Sequence, residues 1–358
     1  MSEELAKKVQ SMLVEEKWTR ATISNFSKSN LGELAVVVDS AIAEDCIDEV
    51  KQICDEHLQH TKNSIIALYI SGMLALKKHS LDNSAMETLV GLLLEHRKNN
   101  IVVHLCETIL QEDGTNKFAM RTLADCYREE GNEKIWDIYE QIVRLDHEEA
   151  DIAKLLAERC EKQQKTEEAV EYYKKAIHRF INQKSLNPVK EIWSKLVALI
   201  PQEIDFFFRI QRQAAKTIAP ERSVPLLQEL YQYYSAQKQW DTAIDILKLI
   251  LSIDPKDGPA RRELVECFRG KYAGHSQLEA CIRISNLTQG FRDVFAAIAD
   301  FEKRIAFDEK NFVFHRSWGV GVIMKVQGEQ LTINFGKNFG MREMSLEMAV
   351  KALQSLSR

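Results

Sequence analysis

Proline is missing from the first 187 residues; all six lie at or after Pro188. The first half of the chain therefore carries no strong helix breaker. Glycine is scarce too, and five of the fourteen fall after Phe312. No apolar run approaches the ~18 residues of a membrane span; Leu89-Val-Gly-Leu-Leu-Leu94 is among the longest. The seven cysteines (Cys46, Cys54, Cys106, Cys126, Cys160, Cys267 and Cys281) are odd in number and scattered, with no Cys-x-x-Cys pair. Such usage excludes a disulfide framework and fits reduced, buried thiols in a cytoplasmic protein. The opening residues Met1-Ser-Glu-Glu-Leu-Ala-Lys-Lys8 contain no apolar stretch, so no secretory leader is expected.

Catalytic signatures are absent as well. Trp318-Gly-Val-Gly-Val-Ile323 lacks the third glycine and the strand–helix context of a dinucleotide loop. There is no Walker A sequence, no Gly-x-Ser-x-Gly and no His-Glu-x-x-His. Cys54, His57 and His60 fall at helical spacing, with Cys46 two turns earlier. Thiols and imidazoles so placed are usually packing or surface residues, and neither a metal nor a cofactor is expected. Glu167-Glu168 reads as part of a solvated face. These absences point to a binder that is not an enzyme, with no catalytic residues.

Charge is unevenly placed. The whole chain carries −5, but from Phe312 onward six Lys/Arg face three Asp/Glu. The tail balance of +3 permits an acidic partner, whereas the whole gives no basic footprint for nucleic acid. Contact with nucleic acid is expected only indirectly, through a protein partner. The tyrosines Tyr172, Tyr173, Tyr231, Tyr233 and Tyr234 lack the interleaved cations of a base-stacking platform.

What is present is helix after helix. Apolar residues recur on one face in Ile135-x3-Tyr139-x2-Ile142-x2-Leu145 and Leu247-x2-Ile250-x2-Ile253. Polar junctions such as Glu129-Glu-Gly-Asn132 and Gln163-Gln-Lys-Thr166 interrupt this pattern every 14 to 20 residues, the rhythm of short antiparallel helices. Ile135, Tyr139 and Ile142 are echoed 34 residues later by Ala169, Tyr173 and Ala176. Leu156, Ala157 and Cys160 stand where a tetratricopeptide (TPR) repeat puts its Leu, small residue and Tyr. A further unit runs from Leu230, Tyr231 and Tyr234 through Trp240, Ala243, Leu247 and Ile250 to Ile253-Asp-Pro255, and looks like the TPR pattern. The small Ala243 lets two helices approach, and an aromatic fills the gap beside it.

Other units are degenerate. Val189, Trp193, Leu196 and Pro201 suggest a second repeat helix, and Leu264, Val265, Phe268 and Ala280 another unit with extra residues at 270–274. Before residue 115, helices are expected over Asp45–His60, Asn63–Lys78 and Asp82–Arg97 without a clean repeat signature. A stack of such pairs either binds a peptide or helix in its groove or spaces two modules.

After a helix around Phe291 to Ile305 the period changes from helical to two. Val320, Val322 and Met324 alternate with Gly321, Ile323 and Lys325; Leu331, Ile333 and Phe335 alternate with Thr332 and Asn334. Met341–Leu346 reads as a third strand and Glu347–Leu356 as a closing helix. So small a module has little core and is expected to lean on the preceding helix. Gly319–Val326 is the candidate edge strand for pairing with a partner, with Arg316 and Lys325 near acidic groups. Trp318 reads either as an interface anchor or as a cap on the small core; His315 reads as a core-edge or turn residue.

The run His315-x-x-Trp318-Gly-x-Gly-x-Ile323, followed by Leu-Thr-Ile-Asn-Phe335 and then Met344-Ser-Leu346, Ala349 and Leu353, resembles a Tudor-like module. That module occurs in CarD-type regulators, the transcription-repair coupling factor and UvrD-type helicases, where it docks on bacterial RNA polymerase. Trp318 stands where many relatives carry His or Phe, and Pro is lacking after His315. Helical repeats followed by such a module also resemble the N-terminal extension of some Gre-type transcription elongation factors. No long hairpin with an acidic tip is evident, so this resemblance implies that the rescue domain lies beyond Arg358.

The expected architecture is thus mostly α. Degenerate helical repeats over 1–115 and TPR-like repeats over 116–310 form an α-solenoid of antiparallel pairs, and a small SH3/Tudor-like β-barrel follows over 311–358. The resemblance implies RNA polymerase as partner, through His315, Arg316, Trp318, Val320, Val322 and Lys325. Two alternatives stay open: a general TPR peptide-binding adaptor, and the regulatory half of a larger enzyme.

Overall fold

A computed structural model describes residues 3–16, 23, 26–78, 84–146 and 148–356. The chain divides into two compact units, residues 1–172 and 173–358. Among the described residues there are eighteen helices and one small sheet, and no helix is long and apolar enough to cross a membrane.

The first unit begins with α1 (Glu3–Glu15), α2 (Lys28–Ala43), α3 (Ile47–His60), α4 (Ile65–Lys77), α5 (Ser84–Glu95) and α6 (Asn99–Glu112). Asp82, expected to lie in the helix now seen as α5, is outside the described residues. Nearly every residue of α4 is buried, because α1, α2, α3, α5 and α6 all touch it. Its exposed amides are capped twice: Ser64 Oγ accepts from Ala67 N at 3.1 Å, and the Glu16 carboxylate accepts from Ile65 N at 2.8 Å. Next come α7 (Lys117–Glu130), α8 (Ile135–Leu145), α9 (Ala150–Lys162) and the start of α10 (Thr166–Asn182). α6, α7, α8 and α9 pack each on the next, as a stack of hairpins requires. Gly131, at φ +65°, closes α7 in the left-handed conformation that glycine adopts at no steric cost. Leu156, Ala157 and Ala169 are buried as the repeat requires.

The second unit holds the rest of α10 and then α11 (Leu186–Leu199), α12 (Ile204–Thr217), α13 (Pro220–Ala236), α14 (Trp240–Ile253), α15 (Gly258–Lys271), α16 (Leu278–Ser285) and α17 (Val294–Ile305). Tyr173, Ala176, Tyr234 and Ala243 are buried, whereas Tyr231 is half-buried. Trp193 is enclosed and meets Phe207 edge to face at 5.0 Å. The Tyr234 hydroxyl donates to the Pro201 carbonyl, tying α13 to the turn after α11. Pro255 is exposed, but its carbonyl accepts from Arg261 Nε at 2.9 Å and Nη2 at 2.7 Å. Ala280 is only half-buried and Cys281 takes the enclosed position, because the residues around 270–274 displace the helical phase by one.

The sheet comprises β1 (Phe312–His315), β2 (Gly319–Gln327), β3 (Gln330–Asn334), β4 (Met341–Ser345) and β5 (Leu353–Ser355), with α18 (Leu346–Ala352) between the last two. Its order is β4-β3-β2-β1-β5, antiparallel throughout. The expected closing helix is therefore shorter than Glu347–Leu356: its last residues leave the helix and pair with β1. Gly319–Val326 is not an edge strand. It lies third of five, with β1 on one side and β3 on the other. Beyond the end of β1 its outer amides are still engaged, by Asn311 O on Ile323 N (3.0 Å) and by Glu309 Oε1 on Val326 N (3.0 Å). Pairing with a partner strand through β2 is excluded, since it has no free edge.

All seven cysteines are buried. Burial pushes the thiols of Cys54, Cys106 and Cys281 up to about 12 and those of Cys126 and Cys267 up to about 11, from an ordinary 9.0. The neutral thiol is the form that folding favours. The thiol contribution to stability is therefore constant below about pH 9. It declines as pH rises from about 9 toward 12, because only the unfolded chain then releases these protons. At pH 8 the folded protein is expected to react with a thiol-specific disulfide reagent only as it unfolds; fast stoichiometric labelling in native buffer would contradict this.

Candidate docking surface

The module is held on α16 and α17 by polar ties at the ends of the helices. Gln277 Nε2, at the start of α16, donates to the Gly328 carbonyl at 2.8 Å. Asn311 Nδ2 donates to the Ala306 carbonyl just after α17 at 3.0 Å, and Arg283 meets Glu329 at 2.9 Å. Below this, Arg261 is buried and donates to the carbonyls of Gln289 (2.6 Å) and Arg292 (3.0 Å) in the α16–α17 turn. Arg292 in turn donates to the Ser285 carbonyl (2.7 Å) and pairs with Asp300 (3.1 Å). The helix pair carrying the sheet is thus braced by two guanidiniums.

The inward face of the sheet is apolar and enclosed: Val313, Ile323, Leu331, Ile333 and Met344, closed by Leu346 and Ala349 of α18. Gly321 belongs to this face, and Phe335 lies directly on it. A Cβ at Gly321 would fall 2.7 Å from the Phe335 ring and 2.9 Å from Ile333.

Register sets the opposite face. Phe312 pairs with Val322, Val322 with Asn334, and Asn334 with Met341, while Phe314 pairs with Val320. Directly paired residues share a face, so these side chains form one outward surface. Phe312 is 53% exposed, Phe314 39%, Val320 55% and Met341 54%. Met324, 53% exposed, occupies a bulge where the β2–β3 register shifts between Ile323 and Lys325. Half of the large apolar side chains exposed among the described residues lie between Phe312 and Leu356. That density is what marks an interaction surface.

The expected site residues separate accordingly. Val320 and Val322 lie on the outward face. His315 and Trp318 stack at 3.9 Å between ring centroids, with Phe335 5.3 Å from Trp318 and Arg342 5.4 Å over its ring. Trp318 is half-buried and caps the end of the core. His315 Nδ1 accepts from the amides of Ser317 (3.1 Å) and Trp318 (3.3 Å), which places the ring proton on Nε2 and holds the turn. Arg316 and Lys325 are exposed, as are Lys337 and Arg342; register places Lys325 beside Thr332 and Glu343 on the outward side, and Arg342 with Ile333 on the other. The sequence reading missed Phe312, Phe314 and Met341 as surface residues; the alternation Phe-Val-Phe was a signal that two of them share the face of Val320. Among the described residues no group of three His, Cys, Asp or Glu side chains converges as a metal site.

No family model matches the sequence. It is 47% identical over 336 residues to the "Putative GreA-associated domains protein" of Treponema pallidum, covering 94% of this chain and 51% of that one. It is 33% identical over 355 residues to the "Transcription elongation factor GreA" of Borreliella burgdorferi, covering 98% of this chain and 39% of that one. The chain thus spans about half or less of the length of these curated relatives. Among solved structures, the C-terminal part of a TPR repeat-containing protein from Cytophaga hutchinsonii is 13% identical, covers 63% of this chain and 98% of that one, and has a TM-score of 0.30. The MamA protein is 14% identical, covers 61% and 91%, and has a TM-score of 0.21.

Gly321→Ala forces the Phe335 ring off the sheet and is expected to cost about 1–3 kcal/mol. Denaturant unfolding followed at the tryptophans checks this; an unchanged midpoint would mean that the ring moves aside freely.

Proposed function

We propose that this chain is a non-enzymatic, cytoplasmic part of a Gre-type transcription elongation factor, and that its Tudor-like module docks on bacterial RNA polymerase. The reading is carried by the outward face of the sheet, an apolar surface that the described part of the second unit leaves uncovered. Support for the identity of the partner comes from the relatives: one is named as a transcription elongation factor, and the similarity runs through helices and sheet alike. Phe314, Val320 and Val322 enter the interface core, where apolar contacts supply most of the binding energy. Arg316 and Lys325 act at the rim, where charge governs encounter and partner choice more than affinity. No step of this function needs a nucleophile, a metal or an acid–base pair. The helices supply the span and the mount.

Immobilised full-length chain is expected to retain purified bacterial core RNA polymerase at low salt. Val320→Glu combined with Phe314→Glu should reduce retention at least tenfold, because each places an unpaired carboxylate in the apolar contact. Arg316→Gln with Lys325→Gln should mainly slow association and flatten its salt dependence. Failure of the unaltered chain to retain polymerase, or full retention by the glutamate pair with an unchanged unfolding curve, overturns the proposal.

A further inference from the structure

The outward face of α12 is the second surface in this unit whose chemistry is left unmatched. Phe206, Phe207, Ile210, Gln211 and Ala214 face inward and are buried. Opposite them, at i, i+3 and i+7, stand Arg209, Arg212 and Lys216, all exposed. None of the three has an ion pair or hydrogen bond to another described residue. No carboxylate occurs between Phe206 and Pro220; Asp205 precedes this stretch and Glu221 follows it. The helix is also held firmly. Gln213 joins His178 (2.6 Å) and Asn182 (3.0 Å) of α10, and Gln211 donates to Ser223 of α13 at 3.2 Å.

We infer that Arg209, Arg212 and Lys216 form a seat for the phosphate backbone of duplex nucleic acid. Seven residues of helix advance about 10 Å, and one strand of a duplex carries a phosphate about every 3.4 Å of axis. The row of three cations therefore spans about three phosphate intervals of one strand. Arg presents a planar fork to phosphate oxygens, and a rigid helix presents the row with its backbone already ordered. Phe208, one turn before Arg212, is half-buried and is the single aromatic of α12 beside these cations; one ring is too few for a row of stacked bases, which favours the backbone of a duplex over single-strand bases. The seat reads no sequence. It is independent of the polymerase-docking surface, and its test contains no polymerase.

The full chain is titrated against a labelled DNA duplex of about 20 base pairs, by fluorescence anisotropy, from about 20 mM salt upward. The logarithm of the association constant should fall against that of salt concentration with a slope between about −2 and −3. Arg209→Gln, Arg212→Gln and Lys216→Gln together should weaken binding at least tenfold and bring the slope toward zero. A control with Arg316→Gln, Lys325→Gln and Lys337→Gln should bind within about twofold of the unaltered chain. No binding at low salt, equal loss in the control, or undiminished binding by the α12 variant overturns the inference. Displacement by poly-glutamate as efficient as by unlabelled duplex also overturns it, and assigns the face to an acidic protein.

Discussion

A sheet has two faces, and this chain covers one. Four of the five strands have five residues or fewer, and a module of this size buries too little to stand alone. Its inward residues Val313, Ile323, Leu331 and Ile333 are enclosed only because α18 closes over them and α17 supports α18. The proposed docking rests on the face that is left. Phe312, Phe314, Val320 and Met341 are held in register by the same ladder that buries their neighbours. They cannot turn inward without a one-residue slip, and that slip would expose the core.

The mount matters as much as the face. A guanidinium taken fully out of water is stable only if its donors are met. Arg261 meets this condition with backbone carbonyls and no carboxylate, drawing Pro255, Gln289 and Arg292 around one side chain. The turn between α16 and α17 is thereby immobilised, and with it the two helices to which the sheet is tied through Gln277 and Asn311. A surface presented in this way loses little conformational entropy when it meets a partner. In the proposed docking, rigidity inside the helix array would thus contribute to affinity at the sheet.

Much of this was legible in the sequence, for identifiable reasons. Helical periods survive wherever apolar and polar residues share a helix, as in α8 and α14. Small residues at crossings, such as Ala157, Ala176 and Ala243, announce close packing because little else fits there. The change to period two after Phe312 was equally plain. Strand order was not, because alternation identifies the faces of a strand and says nothing of its neighbours. Gly319–Val326 reads as an edge strand on composition, yet β1 and β3 flank it on its two sides. Leu353-Gln-Ser355 hid because it continues a helical pattern without a breaker. In α4 the converse problem arises: nearly every residue is apolar, so the phase of the helix vanishes along with any repeat signature. Phe312 and Phe314 misled through hydrophobicity itself, since a large apolar side chain in a small module is expected inside.

Charge and apolarity divide the labour at the exposed face. The patch is apolar at its centre, while Arg316, Lys325, Lys337 and Arg342 are exposed in the same small module. Rim cations act over about a Debye length, ~10 Å at 0.1 M salt, and so shape the approach of an acidic surface. Apolar contacts act only on touching, and so set how long the complex lasts. On the proposed docking, the separation gives a role to the positive balance that the last 47 residues keep in a chain of net charge −5. Were the tail as acidic as the helices before it, like charge would oppose encounter with an acidic partner before the apolar face could engage. In the proposed docking the cations of the module would guide approach and the uncovered sheet would hold the partner, so each would need the other.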